Sequence, residues 1–323
     1  MIQRLLGPLP LWARREHPML RQELRVGERA LSWRARYGRA LGVILIGAVL
    51  LLIGYLIATR LLSQAAGENI VEIVTAVLYY PLLMIQLLLR IAAFTLTVGV
   101  ITEQKRLGNW DNLRATEHGA ELALRARWVS VFYRLRGLFG VVIGLRGILI
   151  VLVLYELTFF QGRHLDLFIV GITPEISLVV AVLLLSFLLT GSLLLPLTGA
   201  GFDASLGVLV STLVPQRTYS TLVQGLIILA RIALTALLVY AAGSYLNNET
   251  PLTDAGAWLL LFALGAIGDW GLAFLFLGRF GEIWALVPYG VFLGLALLIF
   301  ALMQAMAADV MLTFAARRAQ KHG

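Results

Sequence analysis

Three arginines, Arg90, Arg146 and Arg231, lie inside stretches of sequence that are otherwise apolar. A guanidinium in hydrocarbon costs at least ~2.5 kcal/mol on insertion scales, so it turns toward a bundle interior or toward water. Counted from the inner ends of their runs, all three sit roughly 12–18 Å deep at ~1.5 Å per residue. Their neighbours are polar at helical spacing: Gln86, Arg90 and Thr97 share one face, and Gln224, Arg231 and Thr235 another. Gly140, Gly144 and Gly147 flank Arg146 and allow another helix to approach. Glu156 shares a run with Arg146, but it stands ten residues further on, ~15 Å along a helix and too far to pair. No acidic partner is evident at this level, and two readings stand. Either the three cations line a translocation path that receives an anionic head group or substrate, or each bonds carbonyls and glutamines of neighbouring helices or snorkels inward. Asp269, beside Trp270 in a glycine-rich break, is either an outer gate on that path or part of an interfacial turn, a zone that tryptophan favours.

Other chemistry is missing from the sequence. There is no Gly-x-x-x-x-Gly-Lys-Ser/Thr loop to cradle ATP, no Gly-x-Ser-x-Gly elbow, no His-Glu-x-x-His and no dinucleotide fingerprint. Cysteine is absent, and His17, His118, His164 and His322 are scattered without ligand spacing. The expectation is a chain that is not an enzyme and holds no cofactor or metal of its own. The net charge of +8 would point to nucleic acid in a soluble protein. In an apolar chain, basic residues instead hold loops on the inner side, so membrane lipids are expected as partners and nucleic acid is not.

The elements that must position these residues follow from hydropathy. The 323 residues are 60% hydrophobic and 14% charged, with mean hydropathy +0.88; soluble domains carry about 25% charged residues. Long apolar runs cover 41–62, 74–102, 138–160, 175–197 and 218–246, each able to cross ~30 Å of hydrocarbon as a helix. Alternating ten-residue segments are absent, which excludes a barrel. "MIQRLLGPLPLWARREHP" has no apolar core ahead of its charges, so no signal peptide is expected. Residues 1–40 form a basic tail in which 19–37 reads as an amphipathic helix on the inner membrane surface, Trp12 and Trp33 at headgroup level. The alternative is a solvated basic tail. Residues 41–323 form the membrane domain.

With the N-terminus inside, the basic loop 103–137 is also inside, and loops 63–73, 161–174 and 247–255 are outside with only Arg163. Arg317, Arg318 and Lys321 hold the C-terminus inside, so 256–308 crosses once. "GAWLLLFALGAIGDWGLAFLFLGRFG" (256–281) has two arms too short to cross around "GAIGDWG", which describes a re-entrant hairpin. The fold expected is an all-α polytopic membrane protein with six transmembrane helices, a re-entrant hairpin before the last, and both termini cytoplasmic. Seven spans with the C-terminus outside is the alternative. The location is the cell (cytoplasmic) membrane.

The long charged segment "EQKRLGNWDNLRATEHG" (103–119) follows the second run. Leu107, Trp110, Leu113, Leu122, Leu124, Trp128, Val129 and Phe132 give helical spacing, with Gly108 and Gly119 as breaks. One or two short amphipathic helices result, able to rest on lipid or to bind a soluble partner. This segment resembles the type-two ABC transporter permeases, which place acid-x-acid-x-x-Gly-Thr, two residues, Leu-Leu and Thr-Pro after their second span. Glu103 takes the first acidic place, Gly108 the glycine, Leu113 the second leucine and Thr116 the threonine; "GNWDNLRAT", with Trp110 and Asp111, is similar to a Gly-Thr-Trp-Asp-Leu-Leu variant. Lys105, Asn109, Asn112 and Glu117 depart from the pattern. "HPMLRQELR" (17–25) is similar to the Asn-Pro-Val-Leu-x-x-Glu-Leu opening of such permeases, and "LGVLVSTLVPQRTYS" (206–220) to the inner end of their fourth span.

The resemblance implies the permease subunit of an exporter. It would be a dimer with itself or a related permease, bound to two ATP-binding cassette subunits that hold ATP and Mg. Glu103, Gly108, Trp110, Asp111, Leu113 and Thr116 would then form the coupling helix. The alternative is a non-transporting structural or assembly subunit of a larger membrane complex.

Overall fold

The computed structural model describes residues 10–14, 16–27, 49, 52, 70–106, 108, 110–116, 118–159, 178–214, 216–246, 253–267 and 292–322. These residues are helical, with no strand among them. After a 3-10 turn at Leu11–Ala13 come α1 (Pro18–Gly27), α2 (Ile70–Val98), α3 (Val100–Arg106), α4 (Trp110–Ala115), α5 (Gly119–Arg134) and α6 (Arg136–Phe159). Then follow α7 (Leu178–Leu213), α8 (Arg217–Leu246), α9 (Asp254–Phe262), a π-helical turn (Ala263–Ile267) and α10 (Leu293–His322). Among the described residues four helical stretches are long and apolar enough to cross a membrane, and a fifth is added if α5 and α6, bent by 55°, count as one span. The chain is an all-α, multi-pass membrane protein. The first apolar run apart from Val49 and Leu52, the second arm of the 256–281 hairpin, and Asp269 and Trp270 lie outside the described residues, as does the surface helix beyond Gly27.

The axis of the bundle is α7, packed along α2 on one side and α10 on the other. Its apolar run reads as ending near 197, because Thr198, Gly199, Ala200 and Gly201 look like a break. The helix instead continues to Leu213, 36 residues in all and ~54 Å at 1.5 Å per residue. Those glycines serve contact, not termination. A Cβ on Gly199 would stand 2.7 Å from Arg90 Nη1, and one on Gly207 would collide with Thr97 and the Phe94 carbonyl. On α10, a Cβ at Gly294 would lie 2.6 Å from the Leu188 backbone nitrogen. Small residues thus bring three spans to backbone distance, where dispersion and polar contacts substitute for the hydrophobic drive that lipid does not supply. Ala200, Ala204, Leu188, Leu297 and Ala301 are buried along these seams.

Alongside the long helices, α3, α4 and α5 gather against the C-terminal part of α7 and of α10, and α1 packs on α5. Trp110, Val100, Ile101, Leu124, Val208, Leu312, Ala315 and Ala319 form one buried cluster. The breaks between helices are closed by side chains. The Ile101 N–H, in the first turn of α3 and without a helical partner, donates to Ser211 Oγ at 3.0 Å. The Leu96 carbonyl, at the α2–α3 break, accepts from Arg127 Nε at 3.0 Å. Gly108 takes φ +68, a left-handed turn that suits glycine. The apolar face of α1 lies on α5, with Leu20 fully buried beside Val129, Trp12 and Trp128. The apolar side of this helix therefore has a protein surface to cover it, the strip on α5.

Candidate functional site

Asp203, on α7, is 2% exposed. Arg90 of α2 donates from Nε to its Oδ2, and Arg231 of α8 donates from Nη2 to its Oδ1. One carboxylate therefore joins three helices, each oxygen engaged by a different guanidinium. The expectation of cations without an acidic partner is corrected for Arg90 and Arg231. The apolar run 175–197 stops six residues short of Asp203, whereas α7 continues through it and brings its carboxylate to both arginines.

Arg146 follows the other reading. It is fully buried, donating from Nη1 to the Ser192 carbonyl and from Nη2 to Gln86 Oε1. The sequence explains the first bond. Pro196 lies inside α7 and has no N–H, so the carbonyl four residues earlier, Ser192, loses its helical donor. Arg146 supplies one. Its guanidinium mends a helix as well as pairing with α2, and Gln86 is one turn from Arg90 on the same face.

Two clefts flank the α2–α8 seam. The one at the ion pairs is about 450 Å3, with Arg90, Arg231 and Gln304 among walls that include Phe202, Phe300 and Met303. The other, about 460 Å3 near the N-terminal end of α8, is lined by Thr95, Thr102, Glu103, Ser220, Thr221 and Gln224. Between them lies an apolar plug: Phe94, Val98 and Val210 buried, with Val223, Ile227 and Ile228 packed on them. The face of α8 thus runs polar, apolar, charged from its inner end. Ile267, at the end of the π-helical turn, closes one wall of the charged cleft.

The coupling candidates sort differently. Trp110 is 2% exposed and its indole N–H has no hydrogen-bond partner among the described residues. Leu113 is half-buried and borders a cavity of about 240 Å3 with Met19, Gln22, Glu23 and Gln104. Glu103 is partly exposed, 3.5 Å from Arg127. Gly108 makes the left-handed turn already described, and Thr116 is exposed, its hydroxyl donating to the Leu113 carbonyl at 2.9 Å. Asp111 is in α4; its side chain lies outside the described residues. The spacing of Trp110 and Leu113 therefore marks an inward face, and Lys105, Thr116 and His118 are among the side chains left outward.

Sequence reasoning also missed Glu23. Its carboxylate accepts from Arg127 Nη1 at 2.6 Å and from Gln104 Nε2 at 3.3 Å, while Arg134 donates to its backbone carbonyl at 2.7 Å. Burial first, and then the Arg127 charge, pull the Arg134 guanidinium below its ordinary value, against the opposing pull of Glu23 and Glu103. The signal for Glu23 was present: a lone acid on the apolar side of a basic helix asks for a cation from elsewhere.

Among the described residues no group of three or more His, Asp or Glu could hold a metal ion. Comparison with protein-family models, with curated proteins and with solved structures found no match.

Proposed function

We propose that the chain is the permease subunit of a membrane transporter, an exporter driven by a separate ATP-binding cassette subunit. The reading takes six spans, a re-entrant hairpin at 256–281, both termini cytoplasmic, and a dimer in the cytoplasmic membrane. The observation that carries it is the Arg90–Asp203–Arg231 cluster at one of two clefts that share a seam and are parted by an apolar plug. Structural ion pairs need no such cleft, whereas a translocation path needs polar groups at depth and room beside them. The plug of Phe94, Val98 and Val210 would be the closed barrier between an inner vestibule and the charged level. Span α8 would be the moving part, since its 18-residue apolar window has none of its residues buried. Chemistry would be confined to the partner: ATP and Mg act there, and this chain converts its motion.

Glu103–Thr116 would receive the stroke through the residues that face outward. The buried cluster around Trp110 would pass it to the inner ends of α7 and α10.

The second reading, a non-transporting structural or assembly subunit, is favoured by one observation. Trp110, which the coupling pattern offers to an ATPase, is packed against the chain's own C-terminal helix. A gentle detergent pull-down from native membranes separates the two. A stoichiometric ATPase that is lost on Lys105→Glu with Thr116→Arg supports the permease. Stable membrane partners with no ATPase overturn it in favour of the scaffold.

A further inference from the structure

The cleft above the ion pairs has a one-sided chemistry. Its polar lining is Arg90, Arg231 and Gln304. Both arginines can only donate. Gln304 accepts from Thr198 Oγ1 at 3.0 Å, which leaves the amide NH2 as its donor. Asp203, the acceptor of the cluster, is not part of the lining and has both oxygens engaged. Arg231 reaches furthest into the space: its side chain is 23% exposed, against 6% for Arg90. Everything else in the lining is apolar, with Phe202, Ile227, Phe300 and Met303 as the large surfaces.

The second feature is where the cleft opens. Its walls are α8 and α10, both candidate spans. Leu226, Leu229, Leu237, Met303 and Met306 are exposed on these two helices, the surface that hydrocarbon covers in a membrane. The volume of about 450 Å3 is within the range of sites for small organic ligands, which are also apolar cavities with a few placed polar groups.

We infer that this cleft binds an acidic membrane lipid, its phosphate taken by Arg231 and the Gln304 amide and its acyl chain lying between α8 and α10. A donor-only floor selects an anionic acceptor, and guanidinium binds phosphate through two parallel N–H bonds. The apolar walls and the opening toward hydrocarbon select a ligand that arrives from the bilayer with a tail attached. The inference names the substrate class of the path proposed above and rests on that reading for the word substrate. Binding itself requires no ATPase.

The test uses the full-length chain in nanodiscs of phosphatidylglycerol and phosphatidylcholine mixed in equal parts, extracted into mild detergent and weighed intact with its retained lipid. Wild type is expected to retain phosphatidylglycerol preferentially. Ala230→Trp, which fills the cleft without touching an ion pair, is expected to lose that preference. Arg231→Lys keeps a charge for Asp203 but not the fork, and is expected to weaken retention roughly tenfold, the scale of one charge-assisted hydrogen bond. Equal retention of the two lipids by wild type, or undiminished preference in a folded Ala230→Trp protein, would overturn the inference. An absent ATPase in the pull-down together with selective retention would sink the transport reading and leave the lipid site standing.

Discussion

Asp203 and Glu23 do comparable work in different surroundings. Each is an almost buried carboxylate that gathers arginines from other helices, Arg90 and Arg231 in one case and Arg127 in the other. Around Glu23 there is help: Gln104 shares its charge, Arg134 holds its backbone, and its side chain is 11% exposed against 3% for Asp203. Around Asp203 the two guanidinium groups are the neighbours that matter, and the surroundings are apolar. The same pairing is therefore a modest clamp where the carboxylate is shared and partly exposed, and a high-stakes joint where it is enclosed, because the cost of an unpaired charge rises as solvent is withdrawn.

That contrast can be broken at its strongest point first. Asp203→Asn leaves two buried guanidinium groups without their carboxylate, and breaking a buried pair this way costs about 3–5 kcal/mol. Thermal unfolding in detergent should fall sharply or the protein should fail to accumulate. Adding Arg90→Gln and Arg231→Gln should recover part of the loss. A stable Asp203→Asn protein with unchanged melting would show that the cluster is hydrated.

Trp110→Ala comes next. Emptying a fully packed aromatic site costs about 3 kcal/mol or more, and the loss should appear as both a lower melting temperature and faster proteolysis of the C-terminal helix. Trp110→Phe is the sharper form. Because the indole N–H has no hydrogen-bond partner among the described residues, only the lost volume should count, and the cost should fall well below that of Trp110→Ala.

Glu23→Gln should cost about 1–2 kcal/mol, with a dependence on salt that Asp203 variants lack. Melting curves at low and high ionic strength read this directly. Least of all, Lys105→Glu, on the outward side of the 103–116 segment, should leave stability within about 0.5 kcal/mol. Any effect on capture of an ATPase would then belong to docking.

How much of this was legible in the sequence depends on the kind of signal. Apolar runs announced the spans, and the helical spacing of Gln86 with Arg90, and of Gln224 with Arg231, pointed to the correct inner faces. Arg146 was legible as a choice between two roles, and Pro196 contained the answer, since a proline strands a known carbonyl. Asp203 was not read, for a physical reason. Hydropathy averages over a window, and an aspartate among glycines, alanine and threonine looks like the end of a membrane run. Those small residues are where helices touch, and contact is a property of two sequences at once. The 103–119 segment carries a different signal. Its pattern of Trp110 and Leu113 was legible as amphipathic, but periodicity does not say which surface an apolar face meets. The chain supplied its own surface, the inner ends of α7 and α10, together with α5.

One helix ties the two regions together. Gln304 and Ala315 are both on α10, eleven residues apart, a separation of just over three whole turns. They therefore keep the same clock position on a single rod, one at the charged cleft and the other beside Trp110. Adding a single residue between 309 and 311 would turn one end about 100° against the other, while adding seven would bring them back within about 20°. The two sites are locked in phase, and the alanine-lined inner half of α10 is where that phase is kept.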